Sequence, residues 1–410
     1  MSGDFFVFLL FLATAVFCLI AVYLHRWLLY PLLFAYLFRC FLVMLDYTRV
    51  FRPPGATADA TRFTWIAHEY SLMEWPRLID RLRLFTSDFY PWLGGALQKI
   101  VGQSELMLIS TSFFFGHVIV VVISVIVYQL WGRRQAVMAA YIMALYPFAA
   151  FNSILAMREE VSIMFFSIGL YFFIRWIRGI APLGLLSSGF FFVLAISFHP
   201  GWVGAFVGIA IYLLYFLYRA VKTNDGGRVT KLHAFKVLLA LGMLLGSVGM
   251  IALGDGISLG KGVEIGGDGE SDIGDAIEER FNREARGGSA YPGFIAQGNP
   301  YTQPWLIPAR IVYFHFSPFP WDLRSPRQIL GVVSSVLYAF LAWRLYRGWH
   351  QIKYREEALA LLLIFGAITF IFAIGVTNIG TAIRHKTKLL GLFVILAAAS
   401  FDRVRFKLWK

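Results

Sequence analysis

Apolar positions along this chain neither alternate nor form a stripe; they run. FFVFLLFLATAVFCLIAVYL at 5–24 and LMLISTSFFFGHVIVVVISVIVYQL at 106–130 are apolar on every side. A helix that is apolar all round is buried in protein or in lipid. A hydrocarbon core takes about 20 such residues per helix. By that criterion candidate spans fall at 5–24, 28–45, 106–130, 136–155, 161–177, 183–198, 202–219, 237–254, 328–346, 357–377 and 388–401. The pattern predicts an all-α polytopic membrane protein with about eleven transmembrane helices, forming a single integral membrane domain over residues 1–410. No internal repeat is visible.

Two longer polar segments interrupt the runs. Residues 46–105 balance seven Lys/Arg against seven Asp/Glu, and they read as short helices on the membrane surface. Residues 255–327 open with an acidic, Gly-rich stretch, GDGISLGKGVEIGGDGESDIGDAIEE, whose composition predicts a mobile connector. They continue as PWLIPARIVYFHFSPFPWDLRSP, too short and Pro-broken to span, which suits an interfacial or re-entrant segment.

Composition agrees with lipid as the solvent: 59% of residues are hydrophobic and only 15% charged. The net charge of +13 would suggest nucleic acid in a soluble protein. Here it follows from short cytoplasmic loops, where Lys and Arg collect. His25-Arg26, Arg133-Arg134, Arg175 with Arg178, Arg219 to Lys236, Arg344 to Arg355 and Arg403 to Lys410 form that basic set. Placing it inside puts the N-terminus outside and the C-terminus in the cytoplasm. The N-terminal run has no basic residue before it and no clear cleavage site, so it reads as a retained span. Cys18 and Cys40 both fall in apolar runs and offer neither a disulfide framework nor a metal spacing.

One cluster breaks the charge rule. In NIGTAIRHKTK at 378–388, Arg384, His385, Lys386 and Lys388 land outside. An anionic partner at the outer surface accounts for them; so does snorkelling of cations at a helix end. Other polar residues fall on the same side. In DATRFTWIAHEY at 59–70, Asp59, Arg62, His68 and Glu69 lie within about three turns of a helix. Asp59 and Arg62 would be i, i+3 neighbours, either an acid beside a cation or a plain surface pair. Arg158, Glu159 and Glu160 sit at the turn between two spans, where charge needs a partner or a function. His199 in FHPGW suits a turn. Arg39 lies well inside the second span and is costly there unless paired. Trp321, Asp322 and Arg324 close the aromatic segment, and Trp serves equally as interfacial anchor and sugar-stacking surface. Walker, Rossmann, His-Glu-x-x-His and Gly-x-Ser-x-Gly motifs are absent, which disfavours nucleotide hydrolysis and zinc chemistry.

Taken together, DATRF…IAHEY…DFYPWLGGALQKIVGQS, ALYPFAAFNSILAMREE and NIGTAIRHK resemble the C-type membrane glycosyltransferase superfamily, over most of the chain and in order. Polysaccharide repeat-unit polymerases share this look. The resemblance implies an enzyme of the bacterial cytoplasmic membrane using a polyprenyl-phosphate- or diphosphate-linked glycan on the outer face, in cell-surface polysaccharide assembly. It would add single sugars or polymerise repeat units. Asp59 then matches the first-loop acid, the catalytic base, and Arg158 with Glu159 match the turn after the fourth span. Arg384, His385 and Lys386 match the late basic turn that would grip donor phosphate. Arg62, His68, Glu69 and Trp321 would meet sugar or acceptor, and Trp65, Trp92 and Trp305 could stack on sugars. Implied partners are the lipid-linked glycan, membrane lipids and polysaccharide-assembly proteins, with no nucleic acid. A divalent metal is the one cofactor in play. The chain departs from the superfamily in entering the first outer loop after two spans, and in lacking a second carboxylate beside Asp59. The rival readings are a lipid-linked oligosaccharide flippase, a membrane acyltransferase and a non-catalytic assembly protein.

Overall fold

The computed structural model describes residues 2–54, 56, 59–222, 238, 241–242, 245–246, 289–296, 303–323 and 328–403. These fall into two compact units, Met1–Arg175 with Ala181–His199 and Ser400–Lys410, and Trp176–Ile180 with Pro200–Ala399. The acidic Gly-rich stretch, Arg324, most of the span expected at 237–254 and the tail after 403 lie outside the described residues.

The first unit holds α1 (Gly3–Leu24), α2 (Leu29–Tyr47), α3 (Asp59–Leu72), α4 (Trp75–Asp80), α5 (Phe89–Val101), α6 (Met107–Trp131), α7 (Arg133–Leu145), α8 (Pro147–Asn152), most of α9 (Arg158–Ile177) and α10 (Gly184–Phe198). α1, α2 and α7 pack against α6. The polar segment 46–105 does form short helices. Of these, α3 and α5 lie nearly in backbone contact, because Gly94 and Gly95 carry no side chain. A Cβ on Gly95 would sit 2.9 Å from the Ala67 carbonyl oxygen. The reversal from α6 to α7 turns on Gly132 at φ +100°, a conformation that glycine adopts without steric cost.

The second unit holds α11 (Gly204–Lys222), α12 (Gly293–Ala296), α13 (Leu306–Phe316), α14 (Ile329–Arg347), α15 (Trp349–Lys353), α16 (Glu356–Ile374) and α17 (Ile379–Ala397). α11 packs on α16 through a small-residue face. A Cβ on Gly204 would lie 2.8 Å from Ile368 Cα, and one on Gly208 would overlap the Ile364 backbone. Gly208→Leu is therefore expected to cost about 1–3 kcal/mol or more by overpacking. A loss of thermal stability in detergent would show it, and an unchanged melting curve would refute the close approach. The start of α16 is tied down as well. Glu357 pairs with Arg178 at 2.7 Å, and Glu356 accepts the Tyr212 hydroxyl. Both carboxylates also oppose the positive end of the helix.

The chain is all-α over the described residues, with a single antiparallel bridge between Ala290 and Asn378. Seven helices among those residues are long and apolar enough to cross a membrane: Gly3–Leu24, Arg26–Tyr47, Met107–Trp131, Arg158–Ile177, Pro200–Arg219, Ile329–Arg347 and Glu356–Ile374. Three expected spans differ from this set. The run at 136–155 breaks into α7 and α8 at Pro147, which lacks the N–H that would continue the helix. α10 has 15 residues, so it reaches only about 22 Å. The run at 388–401 is not a separate helix but mostly the second half of α17. The turn expected at 378–387 is instead α17's first turns. Asn378 caps it, its side chain accepting from the backbone N–H of Gly380 at 2.9 Å and Thr381 at 3.4 Å. The aromatic segment forms α13, with 11 residues too short to span.

Candidate functional site

In the first unit two distant pieces of sequence meet. α3 begins at Asp59, and its next residue, Ala60, is buried against Leu155 and Met157. Met157 directly precedes Arg158 and Glu159. Asp59 and Arg158 are half-buried, whereas Glu159 and Glu160 are 0% and 2% exposed. The acid and the Arg-Glu-Glu turn singled out from sequence thus belong to one packed neighbourhood.

The rest of the expected first-loop set points elsewhere. Arg62 makes its ion pair with Asp88, at 3.4 Å, rather than with Asp59. Asp88 stands at the start of α5, and the glycine contact between α3 and α5 brings it alongside. With the two side chains 55% and 42% exposed, that pair contributes roughly 0–1 kcal/mol. His68 and Glu69 are exposed on α3, about two turns or more beyond Asp59. Trp65 is exposed too, while Trp92 donates its indole N–H to the Leu78 carbonyl at 2.6 Å.

Several residues near this neighbourhood carry no catalytic signature in sequence. Tyr90 on α5 is buried, its hydroxyl 3.4 Å from Ser112 Oγ. Burial pushes its phenol above the ordinary value; Ser112 partly offsets this, and the nearby Glu159 and Glu160 add to it. Arg39 of α2 is 1% exposed and fully engaged. It donates to Ser153 Oγ at 3.1 Å, to the Ala144 carbonyl at 3.1 Å and to the Met143 carbonyl at 3.3 Å. Ser153 also lies within hydrogen-bond reach of the Glu160 carboxylate. The sequence did carry a sign of Arg39, as a lone charge deep in an apolar run. Its partners, being carbonyls and a serine, gave none.

In the second unit the cationic cluster is helical and unevenly buried. Arg384 and His385 are half-buried, while Lys386 and Lys388 are 0% and 1% exposed. The Lys386 ammonium donates to the carbonyls of Ser317 at 2.7 Å and His315 at 3.1 Å, and lies 5.0 Å from the Tyr338 ring centroid. Lys386 therefore holds the end of α13 to α17 and does not present its charge to a phosphate. Lys388 lies over the Phe372 ring at 5.6 Å, and the His385 ring is 4.9 Å from the same phenyl. Arg310, inside α13, spends its guanidinium on the carbonyls of Ile374, Ile295 and Ala296.

Trp321 is 70% exposed. Its ring stacks on Phe319 at 4.8 Å with an interplanar angle of 4°, and its indole N–H donates to Tyr313 Oη at 3.1 Å. Buried Asp322 accepts from the Phe319 N–H at 2.9 Å and closes the turn. One flat aromatic face is thereby held in a fixed orientation. Trp305 is exposed as well. Among the described residues, no three His, Cys, Asp or Glu side chains gather as metal ligands.

No family model, no curated protein and no solved structure matches the chain.

Proposed function

We propose that this protein transfers a glycosyl group from a polyprenyl-phosphate- or diphosphate-linked donor, at the outer face of a bacterial cytoplasmic membrane, in cell-surface polysaccharide assembly. The observation that carries the reading is the meeting of α3's first residues with the turn leading to Arg158 and Glu159. An acid and a cation from separate stretches of sequence share one packed neighbourhood beside membrane-spanning helices.

Asp59 would accept the proton of the acceptor hydroxyl. Arg158 would oppose charge developing near it, with Glu159 holding the turn. The sugar passes through an oxocarbenium-like state, as in glycoside hydrolysis. In the second unit, Arg384 and His385 are the candidates for donor phosphate, since a guanidinium suits phosphate by its paired N–H groups. Trp321 offers a sugar-stacking face. The N-terminus lies outside and the C-terminus in the cytoplasm, following the basic connectors.

Deleting the gene in its native host and resolving the surface glycans on a gel tests this. Loss of long chains with a retained single-repeat band means polymerisation. Full-length chains lacking one sugar mean single transfer. Unchanged glycans, with no lipid-linked precursor accumulating on either face, overturn the proposal. Precursor accumulating on the inner face alone indicates a flippase, a reading that would need buried cations such as Arg39, Arg310 and Lys386 to line the path. Their engagement with backbone carbonyls argues against it, because such cations do not line a substrate path.

A further inference from the structure

We propose that Arg39 is a positioning residue: it clamps the broken segment from Met143 to Ser153 and so sets the place of Arg158 and Glu159. The part concerning activity rests on the glycosyl-transfer reading; the part concerning structure does not.

The argument begins with Pro147. In an uninterrupted helix the Met143 carbonyl would accept from the N–H of residue 147, and proline has none. α7 therefore ends with carbonyls lacking helical donors, inside an apolar bundle where water cannot replace them. Arg39, reaching across from α2, supplies what is missing: Nη2 donates to Met143 O and Nη1 to Ala144 O. The same guanidinium donates through Nε to Ser153 Oγ, on the far side of α8. Ser153 is fully buried and is anchored in turn to the Ala149 carbonyl at 2.8 Å. One planar group thus spans both ends of the interruption, a task suited to arginine's rigid fork of donors.

The chain runs from Ser153 through Ile154, Leu155, Ala156 and Met157, all buried, straight into Arg158. Leu155 and Met157 are the residues that meet Ala60. A shift at Ser153 is passed on along this packed tetrapeptide. Gly116 leaves the room needed, since a Cβ there would overlap the Ser153 hydroxyl and lie 3.3 Å from Glu160 Oε2. Glu160 contributes a buried carboxyl group close to the guanidinium. Arg39 could therefore be merely the counter-ion of Glu160, and the experiment has to separate the two roles.

Removing Arg39 alone leaves the buried Glu160 carboxyl facing an unfilled space beside unsatisfied carbonyls, and the protein could fail to fold. The double variant R39M/E160Q removes the guanidinium and the facing carboxyl together, so that neither is left buried without the other. It is compared with E160Q alone, which keeps every Arg39 contact to carbonyl and serine. Full-length protein in detergent micelles is read by hydrogen exchange in peptides covering 146–160, with peptides from 306–316 as the internal control. Surface-glycan chain length is read in the deletion strain at matched protein level.

The expected result is wild-type exchange and glycan for E160Q. For R39M/E160Q, exchange in 146–160 should rise about tenfold or more, the size of one lost charge-assisted hydrogen bond. The control peptides should stay unchanged and the long glycan should be lost. S153A removes one Arg39 contact without touching a charge, and should move exchange the same way by less. If R39M/E160Q exchanges like wild type, or if E160Q alone loses the glycan with exchange unchanged, Arg39 is only a counter-ion and the proposal falls. If the deletion itself leaves glycans intact, the enzyme reading fails while the exchange comparison still decides the clamp.

Discussion

Asp59→Asn is expected to lower glycosyl transfer by about 10²–10⁴-fold, the usual worth of a general base, while the protein accumulates normally. The substitution keeps the shape of the side chain and removes its ability to take a proton. Asp59 sits in the first turn of α3, so loss of its charge removes about 0.3–1 kcal/mol of favourable interaction with the helix end. That cost is far too small to unfold the hairpin of α3 and α5, which stands on buried Phe63, Ala67 and Tyr90. Transfer from lipid-linked donor, measured in membranes of the deletion host at matched protein level, separates chemistry from folding. Activity within threefold of wild type would mean that the base is elsewhere. Glu159 would then be first in line among carboxylates, being beside the same α3 contact, ahead of exposed Glu69. A fall in protein amount that matches the fall in transfer would point to a structural role for Asp59.

The membrane class and most helix positions were legible in the sequence because an apolar run is a local property. FFVFLLFLATAVFCLIAVYL needs no partner to be read as a span, and it forms one helix, Gly3–Leu24. What failed was local chemistry of a different kind. Pro147 divides a run that hydropathy treats as continuous, and Asn378 starts a helix where the polar gap between two apolar runs suggested a turn. Pairing was less legible still. Arg62 chose Asp88, far along the chain, over the acid three residues before it, because a glycine-mediated helix contact decided which carboxylate was near. Arg39 was conspicuous as a charge in a span, yet backbone carbonyls satisfy it, and every residue has one of those. Of the candidate site, the nearness of Asp59 to the Arg158 turn followed from no spacing in the sequence; it needed the buried contact of Ala60 with Leu155 and Met157.

Lys386 and Arg384 look alike in the sequence and should fail in opposite ways. Lys386→Met removes the donor to two buried carbonyls, those of Ser317 and His315. Leaving each without a partner costs about 1–3 kcal/mol, so the variant should lose about 2–6 kcal/mol in total. That is a large share of a marginal stability, and a clear drop in the detergent melting temperature and in accumulation should follow. Arg384→Ala removes a half-buried side chain on the same helix. It should accumulate and melt close to wild type, yet bind polyprenyl phosphate in nanodiscs about 10- to 100-fold more weakly, as loss of a charge-assisted contact predicts. The contrast follows from helix geometry. Two residues apart on α17, the side chains point about 200° apart around the axis, so one can be sealed against α13 while its neighbour is not. If Lys386→Met instead melts like wild type and loses only phosphate binding, its ammonium is a ligand and the carbonyl contacts are dispensable. If Arg384→Ala binds the phosphate normally, the cluster is an anchor for α17, and the donor's charge must be met elsewhere in the protein.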